Sequence, residues 1–514
     1  VSHHLGAART ACEIWGGNGW ATPPERLKAV LNWAQACGIN FIIPHAVFMS
    51  LKGLRKRDYP SSHFPPQPWW RFYRKFSDYM ARLSMLNSEG VHSADILFAF
   101  PQKSLWAEFD LKEKNNKLAD AIERASELLL KSQLDFDYLF DEALDTVEVT
   151  VKDGRIHVGD EAFALLLLPL NSVVPARLLE LSEKVAAAGG GIIAFGADPP
   201  AHDEHGNTVS ERVQALFGDA GAENARFVRL ESDADWNFQW LPKMIRERLR
   251  QDVSAHGSIS RFLACLHRKL DGADCYFVTN LGEEEGAVDL SFRCTGRPQL
   301  WNPDSGSIKD VLAYKTDRVY THISHTFGPN EAVFFVFLDE PPVDHVESTN
   351  MTLTAVTADY AEGYASALEV RIAQGKNRYT RSVEQAFQPL LLPRRWQIEY
   401  PVRNILLLDD WDIEILSEVE QNEWSPRDDP RLGLRPKLLL EAARLAFAIG
   451  KAIRRRGGNA KHPTTKYTRL SQSADTAEKW IKILGIDPSQ FDEAEAILLK
   501  MAEYAGMPIG YDYP

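Results

Sequence analysis

The sequence predicts a multidomain protein of the α/β plus β class. Three observations carry this. Apolar runs of strand length alternate with segments of helical period from residue 9 to about 235. From about residue 257 the apolar period drops to two, in short runs separated by Gly, Asn, Asp and Pro. After Asn422 the composition turns helical. The length agrees, since 514 residues at roughly 100–200 per domain make about three to five domains.

Residues 1–90 read as two strand–helix units. Residues 9–15 form a short strand leading into Glu13, and Gly16, Gly17, Asn18 and Gly19 form a loop. Thr22 reads as an N-cap, with Pro24 in the first turn and Glu25 three residues on. The helix 24–37 sets Leu27, Val30, Leu31 and Ala34 on one face, and Gly38 ends it. Residues 39–44 are largely apolar, as in a strand buried on both faces, and His45 stands where that strand ends. A long loop over 50–68 precedes a helix over 69–87 with Phe72, Phe76, Tyr79, Met80, Leu83 and Leu86 on one face.

Residues 91–235 repeat the alternation. Strands are predicted over 95–100, 135–139, 163–168 and 192–195, and helices over 116–132 and 175–188. Asp153-Gly154 turns a hairpin between 146–151 and 155–158. Strand, helix and strand with short loops make a parallel, doubly wound sheet. Residues 255–342 carry runs over 262–267, 274–280, 287–293, 297–301, 319–323 and 332–338, the pattern of an antiparallel β-sandwich. Residues 350–420 continue β-rich, and 423–514 form a helical tail with helices over 438–455, 473–484 and 491–504.

The net charge of -13 argues against a nucleic-acid partner, which calls for a basic footprint. The longest apolar runs, such as 162–170, fall short of the ~20 residues that span a bilayer, so no membrane partner is expected. No signal peptide is visible, which predicts a cytoplasmic location, and the start at Val1 rather than Met leaves room for a natural segment ahead of it. Five cysteines, an odd number without a CxxC pair, predict free thiols and no metal site. Thirteen tryptophans suit flat, partly apolar ligands such as sugar rings, so a carbohydrate partner is expected. Assembly into a homo-oligomer is left open.

Glu13 is the sharpest chemical candidate, because it lies at the carboxyl end of a predicted strand before a glycine-rich loop. In a parallel α/β barrel catalytic side chains collect there. His45 holds the same place on the next strand, and Trp15 and Trp20 bracket the loop as stacking faces. Taken singly, Glu13 also reads as an ion-pair or cap residue and His45 as a satisfied hydrogen-bonder. Other features read blandly. Asp58 with Arg55, Lys56 and Arg57 is a solvated loop, Gly189 to Gly191 lack phosphate-loop spacing, and His462 stands alone.

The stretch His3-His4-Leu5-Gly6-Ala7 with Cys12-Glu13-Ile14-Trp15-Gly16-Gly17-Asn18-Gly19-Trp20 resembles a signature of large barrel glycoside hydrolases. These are the α-L-rhamnosidase-like group of family 106 and related family 2-like enzymes. The likeness runs on through Gly38-Ile39-Asn40-Phe41, His45, Pro68-Trp69-Trp70-Arg71, Tyr79 and Arg82-Leu83-Ser84. It implies that Glu13 is one of two catalytic carboxylates and that His45 lines the sugar site. Cys12 stands where the family carries Ser. The resemblance further implies that residues 1–90 are the last two βα units of a (β/α)8 barrel. It makes 91–235 a flavodoxin- or amidotransferase-like domain, here without a Cys nucleophile, and lets 350–420 start a sugar-binding jelly roll. It allows calcium at the sugar site, although no local ligand cluster supports it and no other cofactor is expected. The implied function is hydrolysis of O-glycosidic bonds of α-L-rhamnoside or galactoside type. The alternative is a non-catalytic remnant or scaffold that binds glycan or a partner, because a full barrel takes eight units and the resemblance assigns no second carboxylate.

Overall fold

The computed structural model describes residues 2–48, 63, 67–107, 117–170, 173–219, 221–232, 234–365 and 369–382. Strands β1 (Ala11–Ile14) and β2 (Phe41–Pro44) lie side by side in parallel, joined by helix α1 (Pro24–Ala36). The register pairs Glu13 with Ile43. Pro23 is the N-cap of α1 and Pro24 opens its first turn, where a missing N–H costs nothing. This corrects the Thr22 cap: the Thr22 hydroxyl instead donates to the Asn18 carbonyl and closes the glycine loop. Gly38 ends the helix at φ +84°, a conformation that suits glycine, while the Ile39 N–H bonds the Ala34 carbonyl. The helix expected over 69–87 begins as a 3-10 turn at Trp70–Phe72 and continues as α2 (Tyr73–Leu86).

The next elements are β3 (Val91–His92), β4 (Ile96–Ala99), α3 (Gln102–Ala107), α4 (Lys117–Lys131), β5 (Phe136–Leu139) and α5 (Ala143–Thr146). An antiparallel meander follows, of β6 (Val149–Lys152), β7 (Arg155–Val158) and β8 (Glu161–Phe163). Then come β9 (Leu165–Pro169), α6 (Ala176–Ala187), β10 (Gly191–Gly196), α7 (Ser210–Phe217), β11 (Ala225–Arg229) and α8 (Leu241–Arg246). Strands β11-β10-β9-β4-β5 make one wholly parallel sheet. Numbered along the chain, its order is 2-1-3-4-5, the flavodoxin-like doubly wound arrangement. Helices α6 and α7 cover one face and α4 and α8 the other. Burial on both faces explains why β9 is an unbroken leucine run.

The sandwich consists of β12 (Val253–His256), β13 (Leu263–Leu270), β14 (Ala273–Asn280), β15 (Gly286–Phe292), β16 (Arg297–Asn302), β17 (Ser307–Asp310), β18 (Lys315–Thr316), β19 (Thr321–Phe327) and β20 (Ala332–Leu338). A four-stranded sheet, β12-β15-β19-β18, packs on a six-stranded one, β17-β16-β20-β14-β13-β3. Strand β3 thus belongs to the sandwich by pairing, while α8 extends the α/β layers beyond residue 235. Alternate residues of the central strands serve two cores. Tyr276, Val278, Phe335 and Phe337 point to the second sheet, whereas Phe277, Phe334 and Val336 pack with Leu27 and Leu31 of α1 and Leu83 of α2. After the sandwich come β21 (Ser348–Thr349), β22 (Thr352–Val356), β23 (Ala361–Tyr364), β24 (Glu369–Gln374) and β25 (Asn377–Ser382), all in antiparallel pairs. The remainder of the β-rich 350–420 segment and the helical tail 423–514 lie outside the described residues.

Candidate functional site

The parallel pairing of β1 with β2 carries Glu13 and His45 to the same end of the sheet, and the His45 N–H extends the ladder to the Ile14 carbonyl (2.9 Å). Glu13 Oε1 stands 3.9 Å from His45 Nε2, with the carboxylate side chain 61% exposed and the imidazole 23%. Burial alternates along both strands. Ile14 and Ile42 pack with the helices, while Glu13, Phe41 and Ile43 face outward. The open face therefore combines one acid with apolar surface.

Asn40 sets this register. Its Oδ1 accepts from the Thr10 N–H (2.8 Å), and its Nδ2 donates to the carbonyls of Ala8 (3.0 Å) and Asn87 (2.7 Å). One buried amide thus ties the entry of β1 to the end of α2. Beyond β1, the backbone swings through positive φ at Trp15 and at Gly17, both +72°. Trp15 is buried; its indole N–H donates to the Leu27 carbonyl (3.2 Å), and its ring stacks on His63 at 5.1 Å. It supports the loop from beneath rather than offering an open ring face. Trp20 ends the loop half-buried.

An aromatic group that the sequence reading did not assign to the site lies next to this end. The His63 N–H donates to the Ala46 carbonyl (3.0 Å), and its Nδ1 lies 3.2 Å from the Tyr73 hydroxyl. Tyr73 in turn stacks with Trp69 (5.8 Å) and Trp70 (4.9 Å). Burial, then the neighbouring His45, lowers the His63 pKa to about 4, so it is neutral at ordinary pH. Burial raises the pKa of Tyr73. The adjacent Trp69-Trp70 pair was the available signal.

Among the described residues, the group of His, Cys, Asp and Glu side chains close enough to share an ion is His3, His92, Asp137 and Glu161. His3 precedes β1, so this cluster lies toward the amino end of that strand and not at the Glu13 end. Calcium, which takes six to eight oxygen ligands, does not fit the Glu13–His45 pair, and no step is derived through it. The sequence reading expected no metal cluster. These ligands come from four separate segments, and no local spacing announces them.

Residues 1–316 match the sequence profile of the α-L-rhamnosidase family, glycoside hydrolase family 106. A Formosa agariphila protein bearing the name "Putative beta-glucuronidase" is 25% identical over 356 residues, covering 66% of this chain and 27% of its own. The structure of a rhamnosidase from Novosphingobium sp. PP1Y superposes with a TM-score of 0.52 at 19% identity, over 68% of this chain and 34% of that one. That likeness is one of fold. The β-galactosidase from Bacillus circulans sp. alkalophilus gives a TM-score of 0.44 at 11% identity, over 63% and 55% of the two chains. The present chain spans about a quarter of the length of the curated relative and about a third of the rhamnosidase.

Proposed function

The chain belongs to the α-L-rhamnosidase family of glycoside hydrolases, and from that premise we propose that it supplies one of the two carboxylates of a glycosidase site. In this reading β1–α1 and β2–α2 are the closing units of a (β/α)8 barrel, and the parallel domain is the amidotransferase-like module after it. Glu13 acts as the nucleophile or as the base that activates water, His45 and Trp20 line the sugar site, and Trp69, Trp70 and Tyr73 offer ring faces nearby. The observation that carries the reading is the meeting of Glu13 and His45 at 3.9 Å on the carboxyl ends of adjacent parallel strands, where barrel enzymes gather their catalytic groups.

Glycoside hydrolysis passes through an oxocarbenium-like transition state flanked by two carboxyl groups. A carboxylate there stabilises the developing positive charge, and the His45 imidazole restricts its orientation. The substrate class is an O-glycoside of α-L-rhamnoside or galactoside type; the name of the Formosa relative adds β-glucuronides to the panel. The test is turnover of aryl glycosides by the longest natural form that contains this chain. Glu13→Gln keeps the side-chain shape and removes the charge, and should lower kcat by about 10²–10⁴-fold with unchanged circular dichroism. Full turnover by Glu13→Gln would place the chemistry elsewhere.

A second reading, a scaffold that binds glycan or a partner without cleaving it, is favoured by the exposure of Glu13 on a two-stranded sheet. It predicts that these 514 residues alone hydrolyse aryl glycosides very poorly while being retained on immobilised glycan.

A further inference from the structure

We propose that His3, His92, Asp137 and Glu161 form a structural binding site for a divalent transition metal of the zinc type. Their ligand atoms all lie within 4.8 Å of one another. His3 Nδ1 is 2.9 Å from Asp137 Oδ2 and 3.6 Å from Glu161 Oε1. His92 Nδ1 is 2.8 Å from Glu161 Oε1 and 3.7 Å from Asp137 Oδ2. In a tetrahedral site with bonds of about 2.0–2.1 Å, neighbouring ligand atoms sit roughly 3.3 Å apart. These four separations bracket that value and the other two pairs lie within 4.8 Å; the ion would replace the protons that now bridge His3 to Asp137 and His92 to Glu161.

The surroundings are those of a built site. His92 Nε2 stands 2.8 Å from Asp135 Oδ2. That second carboxylate fixes the ring so that Nδ1 faces the centre, as outer partners of metal-bound imidazoles do. His4, only 2% exposed, lies with Nε2 3.7 Å from both Asp137 Oδ2 and Glu161 Oε2. Neither of its ring nitrogens has a hydrogen-bond partner among the described residues, and neither does Glu161 Oε2. Buried polar atoms left this way are costly unless something unseen occupies the centre. Two neutral imidazoles, two carboxylates and a doubly charged cation sum to zero among the ligands themselves, with Asp135 as one further carboxylate outside them. Mixed nitrogen and oxygen donors select zinc-type ions over calcium or magnesium. Limited side-chain exposure at His3 (15%) and Asp137 (17%) leaves an entry path.

The ligands come from four segments: the lead-in to β1, edge strand β3 of the sandwich, edge strand β5 of the parallel sheet, and β8 of the meander. An ion here would staple these parts together from the amino end of β1, the end of a barrel that serves stability.

The test uses the full chain, stripped with a chelator, dialysed against zinc and desalted. About one equivalent of zinc by elemental analysis is expected, with a thermal midpoint about 5 °C or more above that of the stripped chain. Cobalt should give visible bands of tetrahedral intensity without a thiolate charge-transfer band, since no cysteine is a ligand. His3→Ala, at a partly exposed ligand, should lower affinity at least tenfold while far-ultraviolet circular dichroism is kept, and Glu161→Gln checks the same loss from the buried side. A wild-type chain that takes up less than about a tenth of an equivalent, or whose midpoint zinc leaves unmoved, overturns the proposal and leaves a cluster bridged by protons. Uptake that survives both substitutions overturns it as well.

Discussion

At the scale of single residues, much of the signature shared with barrel hydrolases is structural support rather than chemistry. Asn40 holds the entry of β1, and the Tyr79 hydroxyl donates to buried Asn32 (2.6 Å). Arg82 Nη1 donates to the Pro303 carbonyl (2.8 Å) at a sandwich turn, and Gln35 Nε2 donates to Ser84 Oγ (3.2 Å). The places of Glu13 and His45 at strand ends were legible because Glu13 falls just ahead of the glycine-rich loop 16–19 and His45 just after the apolar run 39–44. The fit of Trp15 into the core was not, since an indole beside a glycine loop looks the same whether buried or open. A second buried histidine allows a quantitative test. His267 lies 2.9 Å from both Asp252 and Asp274, stacked on Tyr276, with Arg293 on the far side of Asp252. Burial pulls the His267 pKa down, but the two carboxylates outweigh it and hold the value above the ordinary one. Burial likewise pushes Asp252 up, and His267 with Arg293 outweighs it, leaving its pKa lowered. The histidine contribution is therefore complete below about pH 6.5 and fades as pH rises through the folded value, while that of Asp252 fades only on strong acidification. His267→Gln should cost about 3 kcal/mol near pH 6, and the gap from wild type should narrow as pH rises. A gap constant from pH 5 to 9, read by thermal unfolding, would show that the charge on His267 contributes nothing.

At the scale of elements, the six-stranded sheet is the hub. Its central strands are covered by a second sheet on one side and by α1 and α2 on the other. This explains why element types were readable while boundaries drifted. Strand β19 was expected over 319–323 and runs Thr321–Phe327, because the polar run Ser324, His325 and Thr326 hides its continuation to buried Phe327. Strand β11 and helix α8 went unread: ARFVR and LPKMIR are too short to show a period. Their placement comes from tertiary packing on a sheet already formed. The same hub predicts how the two βα units are stabilised. Leu31 of α1 has no exposed surface and packs in one cluster with Phe277, Phe334 and Val336 of the sheet. Leu31→Ala removes that contact and leaves a cavity, at a cost of about 2–5 kcal/mol. If α1 and the sandwich fold as one unit, probes in both should report the same lowered midpoint, for example Trp15 fluorescence and hydrogen exchange in β14. A loss confined to α1, with β14 protection unchanged, would show that the two βα units unfold independently.

At the scale of the whole molecule, the two-stranded sheet is the anomaly. Parallel strands are found almost only in sheets covered on both faces, yet among the described residues one face of β1 and β2 is open. Phe41 and Ile43 are each 45% exposed, and Leu5 and Val47, just before and after the pair, are 61% exposed. Exposed apolar strands with an unpaired edge are templates for association. The net charge of -13 opposes contact between copies at long range, but it is screened beyond roughly 8 Å at physiological salt, so the apolar patch decides at contact. The family reading gives this face a natural cover, the rest of a barrel, and Glu13 would then point into its interior. The expected behaviour of the chain by itself is therefore self-association that grows with concentration and with salt. Replacing Phe41 and Ile43 together by Lys keeps the backbone ladder and places charge on the open face. Light scattering of the double variant should fall toward the monomer value, with the thermal midpoint moved by no more than about 2 °C, since outward-facing substitutions away from packed contacts usually change stability little. Scattering that is unchanged would mean that the face is already covered in the folded chain. A large loss of stability would mean that these side chains pack inward.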